Sequence, residues 1–585
     1  MIVPMKKATI LVQAKDAAGA IRRLRSLGVM HVEHQRQPSG KDVASLKEDV
    51  AVLDRVLGIL SSPEFRDSSG LREAKLLKDW RFTAKHITDM YARLDHLGEY
   101  GRALAANIAQ WEVWGDFDPG SVRALAREGV TVGFYEMPAE YREKLPAHAV
   151  VKTIAVVNGT AYCAIVSLGD TKIPFKEVQP PRISLREMRA RLDENEETER
   201  TLNKTIGQYA CFTGRFKSVR AAFGKELELH EALRGMGFSG DIAYIAGYVP
   251  FDKVQGLLEE AAAQSWGVYV TDPSDEDSIP TLVRNPRWVS IVRPVFKLIE
   301  IIPGYKELDI SPVFLLALGL FFGMIIGDAG YGAIYMLATY IAYRKFGKKT
   351  KDHRVYFLLY LFSASAILWG ILTGTVFGQE WYIKAGFKPL AGILNDTKFL
   401  QTFCFFIGAL HLTIAHAWQA VRKLPSLTAL ADIGWISVLW AAFLLARMLV
   451  LGDPLPSFCR WMIAAGVLLV IVGTNPQRNI LKMIGSGLGT VALSIVNNFT
   501  DVVSYIRLFA VGLAGIAISD TVNSLAAGMS GNFIAQFFIL LIGHTINILL
   551  GPMSVLVHGI RLNVLEFSSH AGLGWGGTAY KPLEK

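Results

Sequence analysis

Cysteine is scarce in this chain of 585 residues: only Cys163, Cys211, Cys404 and Cys459 occur, with no CxxC pair among them. That excludes a disulfide framework and a thiolate metal centre of ordinary spacing, and leaves each cysteine as a small packing residue. The signatures of nucleotide and hydrolytic chemistry are also missing. There is no GxxxxGK[ST] phosphate loop, since GKKT at 347–350 lacks the upstream glycine, and neither HExxH nor Gly-x-Ser-x-Gly is present. The opening, MIVPMKKATILVQAKD, has no apolar core of a secretion signal, so the N-terminal half is expected to stay on the side of synthesis.

The second half lacks charge. The composition is 51% hydrophobic with a mean hydropathy of +0.30, and the average hides a division. Residues 1 to about 300 are rich in Lys, Arg, Glu and Asp, whereas 311–570 are mostly apolar with scattered glycines. The boundary falls in PTLVRNPRWVSIVRPVFKLIEIIPGYKELDISP, which predicts a cytoplasmic domain over 1–300 and a membrane domain over 301–585. The net charge of +9 raises nucleic acid as a partner, but much of the basic excess flanks apolar segments, so no nucleic acid is expected.

A helix needs about 20 apolar residues to cross a bilayer. Candidate spans begin near Ser311, Tyr331, Val355, Phe399, Ile433 and Trp461, and two longer segments cover about 484–527 and 532–570. Eight crossings return the C-terminus to the N-terminal side. Lys and Arg support this: RKFGKKTKDHR, VRK and the Arg478/Lys482 link fall on one side. GDAG, the loop after Gly378, GDPLPS and the turn near Gly528 fall on the other. The last two segments, near 40 residues each at about 1.5 Å per residue, exceed the membrane thickness and predict a long tilted hairpin.

In the charged half, KKATILVQA, KDAAGAIRRLRSLG and VMHVEHQ read as strand, helix, strand, and IAYIAGYVP, FDKVQGLLEEAAAQSW and GVYVTDP repeat the pattern. Charged segments at about 41–115 and 184–235 carry apolar residues at helical spacing, which predicts an antiparallel coiled coil. TIAVVNGTAYCAIVSL adds a strand-rich patch. The expectation is two small α/β lobes separated by a rod, with no catalytic constellation.

The final hairpin carries the polar residues that matter. Arg507 stands among Val502, Val503, Ile506, Leu508 and Phe509. At membrane depth a guanidinium costs roughly 2.5–3.5 kcal/mol, and it cannot shed its proton. No acid lies within four residues, so the compensating carboxylate is expected on another helix or another protein. Val511, Ala514 and Gly515 beside it are small enough for a partner helix to approach. Asp501 and Ser504 lie on the adjoining face. On the next helix His544, Asn547, Gly551, Ser554, His558 and Arg561 are spaced 3, 4, 3, 4, 3, a stripe that predicts contact with water and protons. Taken singly, His544, Asn547 and Ser554 also read as satisfied packing groups, Asp501 as the partner of an arginine, and Arg561 as a snorkelling cation.

SYIRLFAVGLAG at 504–515, HGIRLNVLEF at 558–567, GMIIGDAGYG at 323–332, WGILTGTVFG at 369–378 and GYVP at 247–250 resemble the a/I-subunit family of V-type and archaeal-type rotary ATPases, in its shorter prokaryotic form. The resemblance implies an ion-translocating stator in a prokaryotic plasma membrane, with its N-terminal half and C-terminus cytoplasmic and no ATP-hydrolysing site of its own. Arg507 would face a rotating proteolipid ring, with Arg561 in support. Two half-channels would draw on Asp501, Ser504, His544, Asn547, Ser554 and His558, with Glu566 a cytoplasmic-side acceptor. The implied partners are the ring, peripheral-stalk subunits of E and G type, a central-stalk subunit near the ring, and lipid; no cofactor or metal is implied. Eukaryotic members often carry His where Gly515 stands and an acid near Gly551, so a relay through those two positions does not transfer. A stand-alone transporter or channel with a regulatory domain is the alternative, although no inverted repeat supports it.

Overall fold

The computed structural model describes residues 1–66, 79–138, 150–168, 175, 177–350, 352–379, 396–476, 479–529 and 531–584. Packing divides the chain into two compact units. One comprises Met1–Ile10, Val29–Val32 and Ala246–Pro582, and the other Leu11–Gly28, Glu33–Ile245 and Leu583–Lys585.

Strand β1 (Met5–Gln13) alternates inward and outward, with Met5, Ala8 and Ile10 buried. It is followed by α1 (Ala17–Leu27) and β2 (His31–Glu33). Further on, β8 (Ile242–Pro250), α8 (Val254–Ala263) and β9 (Gly267–Thr271) repeat the strand–helix–strand order. These two repeats are not separate lobes, as the sequence had implied. Their strands alternate in one sheet, β2-β8-β1-β9, a split arrangement in which the two strands of each repeat are separated by a strand of the other.

The other unit holds the charged helices. Lys41–Ser61 (α2), the short Pro63–Arg66 (α3) and Trp80–Trp111 (α4) are answered by Leu185–Tyr209 (α6) and Thr213–Arg234 (α7), close to the expected limits. α4 packs along α6 and α2 along α7. Leu53, Val56, Ile59, Ala84, Ile87, Ile206 and Phe216 form their shared apolar seam, while the charges face outward. Between α4 and α6 lie α5 (Pro119–Arg127), capped by the Asp118 carboxylate, and an antiparallel sheet. Its strands β3 (Val130–Pro138), β4 (Val150–Val157), β5 (Thr160–Leu168) and β6 (Glu177–Val178) run in the order β4-β5-β3-β6. This sheet, not either strand–helix–strand repeat, is the second α/β module. The hairpin of β7 (Gly237–Ser239) with β8 completes the strands.

After the short α9 (Arg293–Leu298), the apolar half runs through α10 (Ser311–Ile326), α11 (Ala329–Phe346), α12 (Arg354–Thr373), α13 (Thr397–Lys423), α14 (Ala429–Ala446) and α15 (Cys459–Thr474). Then come α16 (Ile480–Ser504) and α17 (Ile506–Gly528), nearly continuous, and α18 (Phe533–Ser554), which π-helical turns extend to α19 (Ser568–His570). Helix thus occupies each segment where a span is predicted. Five are long and apolar enough to cross a membrane: 354–373, 397–423, 429–451, 480–528 and 533–570. α10 and α15 are apolar but short. Most of the loop after Gly378, and Arg478, lie outside the described residues.

Two glycine-containing motifs lock the start of this half. Asp328 caps α11 by accepting from the Tyr331 N–H (3.0 Å) and also accepts from the Gly378 N–H (2.7 Å), tying GDAGYG to TGTVFG. A Cβ on Gly370 would overlap the backbone of Ala329, so only glycine lets the two segments approach this closely.

Candidate functional site

Arg507 is placed by a break in its helix. At Tyr505 the α-helical ladder tightens, with Leu508 N–H donating to Tyr505 O (3.0 Å), three residues back. The Tyr505 ring is fully buried, and its hydroxyl meets His411 Nδ1 at 2.8 Å. Gly408 on α13 leaves room for that ring, which a Cβ would crowd. The tightened turn leaves the Ser504 carbonyl open to Arg507 Nε at 3.0 Å, and the guanidinium swings toward the last helix.

There its Nη2 meets Glu566 Oε1 at 2.7 Å. The same oxygen lies 3.5 Å from Arg561 Nε and 3.4 Å from Ser504 Oγ. Of the two places expected for the compensating carboxylate, another helix of the same chain is the one found, and Glu566, expected as a cytoplasmic-side acceptor, is first an ion-pair partner. Neutralisation is incomplete, because two guanidiniums share one carboxylate and the cluster carries one positive charge in excess. Arg507 Nη1 and Glu566 Oε2 have no hydrogen-bond partner among the described residues. The Glu566 side chain is 5% exposed, that of Arg507 24% and that of Arg561 55%.

Asp501 does not join the arginines. Its Oδ2 pairs with His570 Nε2 at 3.0 Å. Val511, Ala514 and Gly515 line, with Ile326, Tyr331 and Asn547, a partly open recess of about 120 Å³.

The stripe on the last helix is split. Pro552 supplies no N–H to the carbonyl of Ile548, which accepts instead from the Tyr335 hydroxyl at 2.8 Å. Wide π turns over Val555–Gly559 and Leu562–Phe567 then change the helical phase, so residues that share a meridian at 100° per residue diverge. His544 and Asn547 join one cluster, in which the Tyr331 hydroxyl meets His544 Nδ1 and Ser519 Oγ, each at 2.7 Å. Asn547 donates to Ser519 Oγ (2.7 Å) and to Gly515 O (2.9 Å). His544 Nε2 meets Asn523 Oδ1 at 3.1 Å. Ser554 lines the small recess. His558 makes no hydrogen bond among the described residues, and Arg561 belongs to the Glu566 cluster.

Asn523, with Asp520, Ser524 and Gln379, borders an open recess of about 630 Å³. Polar groups thus continue from this recess through Asn523, His544 and Tyr331 to the smaller one, and a separate charged cluster surrounds Arg507. No group of His, Cys, Asp and Glu among the described residues is arranged to hold a metal ion.

Sequence reasoning missed Tyr331 and Asn523, and it missed His416, Asp432 and His570. An acid and two imidazoles standing in otherwise apolar runs were the available signal.

No family model matches the chain. It is similar to V-type ATP synthase subunit I 1 of Treponema pallidum (strain Nichols), with 30% identity over 623 aligned positions that take in 100% of both chains. Similarity to V-type ATP synthase subunit I of Borreliella burgdorferi reaches 31% over 617 positions, again 100% of both. A-type ATP synthase subunit I of Methanocaldococcus jannaschii is 27% identical over 58% of this chain and 55% of its own length.

Proposed function

The chain belongs to the subunit I family of V-type and A-type ATP synthases, and from that premise we propose that it is the membrane stator of the rotary assembly, carrying ions past a proteolipid ring. The excess positive charge at Arg507, where two guanidiniums share Glu566, is the observation that carries this reading.

An ion-carrying carboxylate on the ring stays neutral while it faces lipid, where a bare charge is too costly. On reaching Arg507 it meets a partly exposed cation, and the opposite charge favours its ionised form. The ion leaves by one half-channel, and the next is loaded from the other. The outer route runs from the recess at Asp520 and Asn523 past His544, Tyr331 and Asn547 to Ser554. The inner route starts at Asp501, Ser504 and Glu566. Arg507 stands between them, and a fixed cation repels a passing proton, which prevents a short circuit. The membrane potential supplies about 2.3 kcal/mol per charge per 100 mV, which such a leak would dissipate.

In this reading residues 301–585 cross a prokaryotic plasma membrane eight times, and residues 1–300 and the C-terminus are cytoplasmic. The charged helices form an antiparallel coiled-coil rod that receives peripheral stalks of E and G type, and a central-stalk subunit turns near the ring. The outward face of the last helix suits a partner or lipid: only 6% of its apolar window is buried within the chain, against 44% for 429–451. No ATP-hydrolysing site is assigned to this chain.

In the assembled complex in lipid vesicles, Arg507→Ala should abolish ATP-coupled ion movement while ring and ATPase subunits still copurify. Arg507→Lys should be severely impaired, because lysine can lose its proton in such a setting. Transport that survives Arg507→Ala would leave only an assembly scaffold. Purification in native lipid without a ring would favour a stand-alone transporter.

A further inference from the structure

Five side chains on four helices form a connected line that none of the stripes anticipates. Asp501 Oδ2 meets His570 Nε2 at 3.0 Å, and His570 Nδ1 meets His416 Nε2 at 2.9 Å. His416 Nδ1 meets Asp432 Oδ1 at 3.2 Å, and Asp432 Oδ2 accepts from Lys423 Nζ at 2.7 Å. The interior of this line is buried and its ends are partly exposed. The side chains of His570, His416 and Asp432 are 5%, 9% and 7% exposed, whereas Asp501 is 25% and Lys423 40% exposed.

The ends also lie in meaningful places. Asp501 is one turn before Ser504, whose hydroxyl donates to Asp501 O (2.8 Å) and lies 3.4 Å from the Glu566 carboxylate that holds Arg507. Lys423 closes α13 beside Arg422, in a basic turn that charge bias assigns to the N-terminal side. We infer that this line is the inner proton route of the stator and that the translocated ion is therefore the proton. The inference rests on the stator reading.

The transfer balances at each step. In the synthesis direction, with each step reversed in ATP-driven pumping, a protonated Asp501 gives its proton to His570 Nε2 as His570 yields the one on Nδ1. His416 accepts that proton on Nε2 and passes its Nδ1 proton to Asp432, which releases it to water at the Lys423 end. Each imidazole takes one proton and gives one, then flips to reset. All contacts are within proton-transfer reach. A sodium ion cannot use this path, because a hard cation needs several oxygen ligands at once and two buried imidazoles supply none.

The rival role is a brace between helices, and glutamine separates the two because it keeps hydrogen bonds yet relays no proton. In the assembled complex in phosphatidylcholine vesicles, His570→Gln and His416→Gln should lower ATP-driven acidification at least about tenfold, with ring copurification unchanged. Added imidazole should restore uptake in His416→Gly. Full pumping by both glutamine variants, or ATP-driven sodium uptake by the unaltered complex, overturns the inference. Arg507→Ala in the same vesicles keeps the two ideas apart: if it alone stops transport, the stator stands and this route falls.

Discussion

The closing helices carry polar groups in two places, and the two differ in kind. Around Arg507 the groups are ionic: two guanidiniums that share Glu566. Around Tyr331 they are hydroxyls, amides and a single imidazole, bonded to one another. A neutral cluster inside an apolar half is stable because each member is satisfied by the next. An ionic cluster with charge left over is costly, and its excess has meaning only where another charge arrives. On this contrast, substitutions at the two places should differ in size and in what they damage.

The largest loss after Arg507 is expected at Glu566. Glu566→Gln leaves two guanidiniums without a countercharge, and removing one partner of a buried pair costs about 3–5 kcal/mol. The thermal midpoint of the purified complex should fall sharply and pumping should stop, while Glu566→Asp should recover part of both. A Gln variant as stable as the parent would mean the carboxylate is not the counterion, and the contrast would dissolve.

Tyr331→Phe tests the neutral side. It removes one hydroxyl from Ser519, His544 and Asn547, at about 1–3 kcal/mol for the polar groups left unpaired. Stability should drop moderately, and pumping should slow without stopping. If Tyr331→Phe abolishes transport as completely as Arg507→Ala, the outer route depends on this one hydroxyl, and the two clusters do not differ in how much transport rests on them.

The linear pattern of apolarity reveals where helices start and stop, because it reports a local property. α10 coincides with the run from Ser311, and the charged helices fall within a few residues of the expected limits. The sharing of one sheet by two distant strand–helix–strand repeats was not legible, since strand partners are chosen by the whole fold. The same holds for the ionic site. Arg507 and Glu566 are 59 residues apart, and the face that Glu566 presents depends on two π turns that an ideal period cannot express. Pro552 announced a disturbance in that helix. The hydroxyl of Tyr335, which satisfies the freed carbonyl, comes from another helix and could not be foreseen.

The smallest effect concerns charge far from the apolar helices and marks the lower bound of the comparison. A bond from Arg284 at 2.8 Å holds the Asp252 carboxyl below its ordinary range, and Lys306 at 2.6 Å does the same for Asp275. Asp277 is lowered by Lys7 at 2.7 Å and by the Ser274 N–H. A carboxyl whose value is depressed in the fold contributes stability that is complete above its unfolded value, near 3.9, and that is lost as pH falls through the folded value. Hydrogen-exchange protection factors in β1 and β9 should therefore be flat from neutrality to about pH 5 and fall below about pH 4. The gain is small because these pairs are solvated and screened, so added salt should shrink it further. Asp277→Asn should remove part of the acid dependence without altering transport. Were it to impair pumping as Glu566→Gln does, distance from Arg507 would not be what separates structural charge from working charge in this chain.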